Sequence, residues 1–301
     1  MRKLMSIVMA ASLAVMAFAG NQVITWTDYA SNPINLHSTG ARAYMPAVVY
    51  NPAFGANPYK IWFDADGTKV VNVNTSADGV TWGATAQVVT GLDASVRANR
   101  TTVLYNSADS KPYKIWYNSN TDNMDLRFAQ SADGVTFSDD TYCLTLGAWN
   151  EGHAVLLDGG VYHLYYGANN TLCHMTSYNG YTFSSTGLTV SLSTAISIKP
   201  TSIVKVGAND YRMWADESNT KIHYLVSTDG NTWTMKESPA TTVGSVGAAG
   251  TWNASRNYYS SVVYLGNGQF KMWRGGQSTA YVTGYATGTD PELSVSEWAL
   301  Y

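Results

Sequence analysis

Apolar runs and alternating segments recur along this chain in a fixed order. Each unit opens on a short apolar run: AVVY at 47–50, TVLY at 102–105, AVLL at 154–157, SIVK at 202–205 and SVVY at 261–264. Such a run suits an innermost strand buried on both faces. A turn follows, then an alternating segment such as YKIW, which reads as a second strand with one face in and one out. A polar turn leads to a third strand, for instance 69–75 or 221–227. The pairs Asp78-Gly79, Asp133-Gly134, Asn179-Gly180 and Asp229-Gly230 then mark a hairpin turn, where glycine accepts positive φ. A Thr-Trp or Thr-Phe beyond the turn starts a fourth strand. β-Branched and aromatic residues dominate, and no apolar stripe of 3.6-residue period persists beyond the N-terminal segment.

Repetition turns these elements into an architecture. The marker aromatics Trp62, Trp116, Tyr165, Trp214 and Trp273 lie 54, 49, 49 and 59 residues apart. A period of this length, with four strands inside it, predicts an all-β fold: a single five-bladed β-propeller of four-stranded antiparallel blades. The blade cores are expected near 46–89, 101–144, 153–190, 201–238 and 260–301. The fifth unit breaks at Asp290-Pro291 and resumes weakly over 293–301. The segment 22–26 (QVITW) resembles outer-strand text, so one terminus is expected to supply the missing strand and close the ring; the pattern leaves open which. The stretch 240–255, rich in Gly, Ala, Ser and Thr, is expected as a loop at the rim between blades four and five.

The first 19 residues stand apart. Arg2-Lys3 precedes a nearly continuous apolar run over 4–18, ending in the small-x-small triplet Ala17-Phe18-Ala19. This is the pattern of an export signal, too short for a membrane span, with residues 20–301 as the propeller. It predicts a protein in the periplasm or outside the cell, with no membrane partner after cleavage. Without Arg2 and Lys3, 16 basic residues face 21 acidic ones, a formal charge of −5. That balance excludes a general nucleic-acid surface. Export permits a disulfide between Cys143 and Cys173, but two buried free thiols fit equally well. Two cysteines and five histidines without ligand spacing predict no metal site, and nothing calls for a cofactor.

Propeller chemistry sits at the mouth of the central channel, near the starts of the innermost strands. Aligning the five apolar runs brings Tyr44, Asn99, Glu151, Lys199 and Tyr258 into one column. Two residues earlier stand Arg42, Arg97, Trp149, Ser197 and Arg256. Neighbouring columns hold Met45, Arg100, Gly152, Pro200 and Tyr259, then Pro46, Thr101, His153, Thr201 and Ser260. Taken singly, an Arg before a strand is a solvated loop residue and a Tyr is packing. The repeat places them around one axis. The predicted ligand-binding set is therefore Arg42, Tyr44, Arg97, Asn99, Arg100, Trp149, His153, Lys199, Arg256 and Tyr258. Arginine forks would grip an anion or an array of hydroxyls, and the aromatics would stack on a sugar ring.

The blade text, YKIWY followed by a strand and then SADGVTW, resembles the five-bladed propellers of glycoside hydrolase families 43 and 32 over about residues 21–301. The segment 76–82 is also similar to the Asp-box of sialidases, one residue shorter. The resemblance implies a first-blade carboxylate as base or nucleophile, a second-blade Asp and a third-blade Glu as acid. Trp149-Asn150-Glu151-Gly152-His153 places Glu151 on the acid, with His153 where the family has Pro. Met45 stands at the first-blade Asp position, and Arg100-Thr101-Thr102 contains no second-blade Asp. Replacement bases would be Asp64 or Asp216, which follow the second-strand aromatics at equivalent places; Asp66, Asp93 and Glu217 are nearby alternatives. Three readings follow: a secreted carbohydrate-binding propeller holding a glycan or anionic ligand at the mouth, a hydrolase using Glu151 with Asp64 or Asp216, or a structural surface protein.

Overall fold

The structure is a computed structural model that describes residues 23–37, 42–65, 70–93, 98–119, 125–147, 152–168, 171–186, 191–192, 198–237 and 243–296. Its strands form five antiparallel sheets arranged as a five-bladed propeller. The first blade runs outward from Ala43–Tyr50 through Tyr59–Ala65 and Val71–Ser76 to Gln87–Val88. The second contains Asn99–Tyr105, Tyr113–Asn118, Asp125–Ser131 and Phe137–Thr145, and the third His153–Asp158, Val161–Ala168, Thr171–Ser177 and Ser184–Ser185. Lys199–Gly207, Asp210–Glu217, Lys221–Ser227 and Thr232–Glu237 make the fourth, with Ser191–Leu192 added in parallel.

In the fifth blade, Arg256–Gly266, Gln269–Gln277 and Tyr281–Thr289 are completed by Thr25–Asp28 from the N-terminal side. The chain therefore closes the ring with its N-terminal strand. Pro291–Ser296 is a short helix rather than a resumed strand.

The repeated motif has one physical purpose. In each Ser-x-Asp/Asn-Gly turn, the serine hydroxyl accepts the glycine N–H while the acid or amide oxygen accepts the amides beyond it, as with Ser76, Asp78, Val80 and Thr81. The turn thus presents the glycine carbonyl to the neighbouring blade. Trp62 donates to the Gly134 carbonyl at 2.8 Å, Trp116 to Gly180 at 2.7 Å, and Trp273 to Gly79 at 2.7 Å. The Tyr165 hydroxyl does the same to Gly230 at 2.9 Å. Marker aromatic and turn are two halves of one inter-blade joint, which is why they repeat together.

The inner strands are joined sideways by hydroxyls. Val48 N–H donates to Ser261 Oγ, Val262 N–H to Ser202 Oγ, and Thr102 Oγ1 to the His153 carbonyl. They enclose a central cavity of about 630 Å³ extending toward the C-terminal ends of these strands, lined in part by Val48, Val103, Val155, Ile203 and Val262.

Cys143 and Cys173 are both free thiols. Among the described residues, no helix is long and apolar enough to cross a membrane, and no group of His, Cys, Asp and Glu is placed to hold a metal ion.

Candidate functional site

The strand directions decide where the predicted residues go. Each second strand runs antiparallel to the first, so its end returns to the start of the inner strand. Tyr44 lies opposite Asp64, Asn99 opposite Asn118, Lys199 opposite Asp216 and Tyr258 opposite Gly275. Asp64 and Asp216 therefore lie on the mouth side. Both are buried, at 4% and 0% exposure. Asp64 Oδ1 accepts the backbone N–H of Arg100 from the next blade at 3.3 Å, and Asp216 Oδ1 accepts that of Asn219 at 3.0 Å.

Just inside the mouth the inner strands bulge. Register slips between Tyr44 and Ala47, Asn99 and Thr102, Pro200 and Ser202, and Tyr258 and Ser260. Three residues at this step carry left-handed backbone: Met45 at φ 54°, Arg100 at 51° and Tyr259 at 46°. Such conformations cost about 1–3 kcal/mol each and persist only where their surroundings hold them. Bulges re-aim side chains. Here they turn Met45, Arg100 and Tyr259, with Pro46, Thr101, His153, Thr201 and Ser260, around a constriction of about 10 Å³. The third blade has Gly152 at the equivalent step, where a Cβ would lie 2.5 Å from that of Lys199.

His153 sits in this throat at 3% exposure. Burial holds its imidazole down at about 4, the Trp116 carbonyl opposes the shift, and the Arg100 charge reinforces it. It is a neutral hydrogen-bonding group at ordinary pH.

Above the throat, Tyr44, Met45, Tyr258 and Tyr259 pack into one cluster with Tyr281. Tyr44 stacks on Tyr281, ring centroids 4.7 Å apart. Two guanidiniums share that second ring, Arg42 at 5.3 Å and Arg256 at 5.6 Å from its centroid. Arg100 lies 6.0 Å from the Tyr259 centroid. Tyr258 is wholly buried with its hydroxyl unpartnered, and burial followed by the neighbouring Tyr44 and Tyr281 raises its pKa well above the usual phenol value. Arg42 is exposed, while Arg100, Lys199 and Arg256 are half-buried.

The structure thus gathers Arg42, Tyr44, Arg256 and Tyr258 on one side of the mouth. Arg100, His153 and Asp64 form a second group beside them. Asn99 is buried behind its bulge, and Lys199 faces Asp216 on the fourth blade. Glu151, Trp149 and Arg97 lie outside the described residues, as does Asp66. Of the other nearby acids, Glu217 accepts from His223 and Lys221, and Asp93 pairs with Arg127 at 3.5 Å. Tyr281, the centre of the arginine cluster, was not among the sequence candidates. It starts a third strand, a column that the inner-strand alignment does not contain.

The architecture matches solved structures of glycoside hydrolases. A thermostable family-43 glycoside hydrolase superposes with a TM-score of 0.61 at 12% identity, over 84% of this chain and 91% of the other. The exo-β-1,3-galactanase of Phanerochaete chrysosporium, solved with galactose, gives 0.61 at 16% identity over 87% and 64%. A family-43 enzyme from Xanthomonas citri in complex with xylotriose gives 0.57 at 11% over 83% and 87%. The chain shares the five-bladed propeller fold of these structures. At these identities the likeness is one of fold. No protein-family model matches the sequence, and no curated protein is significantly similar to it.

Proposed function

We propose that this protein is an exported carbohydrate-binding propeller that holds an acidic glycan at the mouth of its central channel. The observation that carries the reading is the Tyr281 ring, which collects Arg42 and Arg256 while Tyr44 stacks against it. Two guanidiniums brought to one aromatic surface provide forked donors for a carboxylate. The tyrosines serve to hold the two guanidiniums together at the mouth. The −3 formal charge of the whole chain makes this local basic cluster run against the global sign. The fold shared with proteins solved with galactose and xylotriose supports a sugar as the ligand class. A glycan array probed with the wild type and with Arg42→Ala/Arg256→Ala tests the reading. Acidic glycans should be retained by the wild type and lost by the variant. Equal retention by both would refute it.

The shared fold also favours a second reading, a hydrolase with Glu151 as general acid and Asp64 or Asp216 as base. Against it stand the burial of both aspartates and their bonds to backbone amides. A catalytic pair must flank the bond it cleaves. Loss of turnover on xylo- or galacto-oligosaccharides in Glu151→Gln, with binding retained, would establish this reading. Absence of turnover in the wild type would dismiss it.

A further inference from the structure

A second concavity lies on the fifth blade, next to the mouth cluster but lined by other side chains. It has a volume of about 600 Å³ and is bounded by the segments 28–33, 250–252 and 278–282. One wall carries Asp28, the last residue of the strand that closes the ring, and Tyr29 after it. The other carries Trp252, from the loop between blades four and five. Ser278, Thr279 and Ala280 form its floor at the turn between the second and third strands of the fifth blade.

Trp252 is seated by glycines. Its six-membered ring lies over Gly276 and Gly284, where any side chain would collide with it. Arg274 then fixes both walls. Its guanidinium packs 5.1 Å from the Trp252 ring, donates to Asp28 Oδ1 at 2.6 Å and donates to Asn257 Oδ1 at 3.0 Å. Arg274 is itself wholly buried. Asn32 donates to the same Asp28 oxygen at 3.3 Å, while its amide also brackets the Tyr285 backbone. Asp28 Oδ2 takes none of these bonds, and the Asp28 side chain is 44% exposed. The groove is therefore built and held in place, with an indole, a phenol 39% exposed, a carboxylate oxygen and hydroxyls facing one space.

We propose that this groove is a second sugar-binding site, taking one neutral sugar unit of a glycan. Its ring face would rest on Trp252 and Tyr29, and its hydroxyls would bond to Asp28 Oδ2, Thr251 and Ser278. Aromatic faces match the C–H side of a sugar ring, and a fixed carboxylate accepts hydroxyl protons. Arg274 already neutralises Asp28, so the groove offers no unpaired cation to an anionic sugar, and its ligand differs in charge from the one proposed at the mouth. A preorganised platform loses little entropy on binding.

Saturation-transfer NMR and titration calorimetry with xylotriose, cellotriose and galactotriose test the proposal. The wild type should bind at least one of them, and binding should survive Arg42→Ala/Arg256→Ala, which removes the mouth cluster. Trp252→Ala should weaken it about tenfold or more, as loss of a central aromatic contact does. Because Trp252 packs on the sheet, Ala280→Arg provides a second variant. That position is exposed, so the long side chain fills the groove without disturbing the core, and binding should again fall. Unchanged melting of Ala280→Arg confirms that folding is intact. No binding of any of the three sugars by the wild type, or binding retained in both groove variants, would overturn the second site. Loss only in the mouth variant would overturn it too, placing neutral sugars at the mouth.

Discussion

Arg212 of the fourth blade donates to Asp290 at the end of the fifth, 3.1 Å apart, with both side chains about 1% exposed. This buried pair spans the seam where the ring closes. It stands where the repeated joint is missing, because the fifth blade is finished by Thr25–Asp28 and has no Ser-x-Asp-Gly turn to offer. Arg212 is further held by Asp210 and by the Tyr224 hydroxyl. Asp210 still neutralises Arg212 when Asp290 is removed, so Asp290→Ala should cost the lost buried hydrogen bond and the seam contact, about 1–3 kcal/mol in denaturant titration. A loss below about 1 kcal/mol, the scale of surface pairs, would show that the seam does not depend on it.

The same seam separates the marker tryptophans. Trp214 has no turn carbonyl facing it, and its indole N–H finds no acceptor; its ring instead meets Trp26 edge-on, centroids 6.2 Å apart. Trp62, Trp116 and Trp273 each donate to a carbonyl. Trp→Phe at these three positions removes a made hydrogen bond and strands a buried acceptor. At Trp214 it removes an unpaired donor. Melting experiments should show Trp214→Phe to be milder than the others by about 1–3 kcal/mol. Four equal losses would contradict the joint.

This joint explains why the fold was legible in the sequence. A marker aromatic and an Asp-Gly turn must recur in every blade that has a next blade to hold, so the period prints the architecture. The mouth was legible only in part. The inner-strand columns single out Arg42, Arg256 and Arg100, which stand at or beside the starts of their inner strands. They could not show Tyr281, which comes from a third strand and joins the cluster through sheet pairing. Trp252 was hidden for a related reason. Its seat is made by Gly276 and Gly284 on two other strands, and no local pattern connects them. Asp64 and Asp216 were placed by their equal distance from the marker aromatic, but their burial depends on the bulge of a neighbouring blade or on their own turn.

Part of the acid sensitivity should trace to His153, one of four histidines whose pKa burial lowers, the others being His163, His174 and His223. Burial lowers the His153 pKa from 6.5 to about 4, so between those values the unfolded chain binds a proton that the native chain does not. The His153 contribution is then full above about pH 6.5 and declines as pH falls toward 4, by about 3 kcal/mol in total. Denaturation midpoints measured across this range should fall less steeply in His153→Gln than in the wild type. Parallel profiles would mean that His153 carries no such penalty. A lower window belongs to the turns. Burial would raise the Asp78 and Asp229 carboxyls, but backbone amides and the serine hydroxyls overcome it and hold both near about 2. Their contribution is lost only as pH falls from about 3.8 through 2.

The bulge at Arg100 makes a backbone prediction. With φ at 51°, alanine there retains the left-handed strain and loses the side chain, whereas glycine loses the side chain and the strain together. Arg100→Gly should be more stable than Arg100→Ala by about 1 kcal/mol, read from urea midpoints. The reverse order would exclude the left-handed conformation.

Ligand capture at the channel mouth is tested most directly by titration calorimetry with a trimer of galacturonic acid at about 0.05 M and about 0.5 M salt, on the wild type and on Arg42→Ala/Arg256→Ala. The account predicts that the wild type binds, that its affinity falls about tenfold or more at the higher salt, and that the double variant loses both the binding and the salt dependence. No binding by the wild type, or binding that neither salt nor the two substitutions alters, would contradict it.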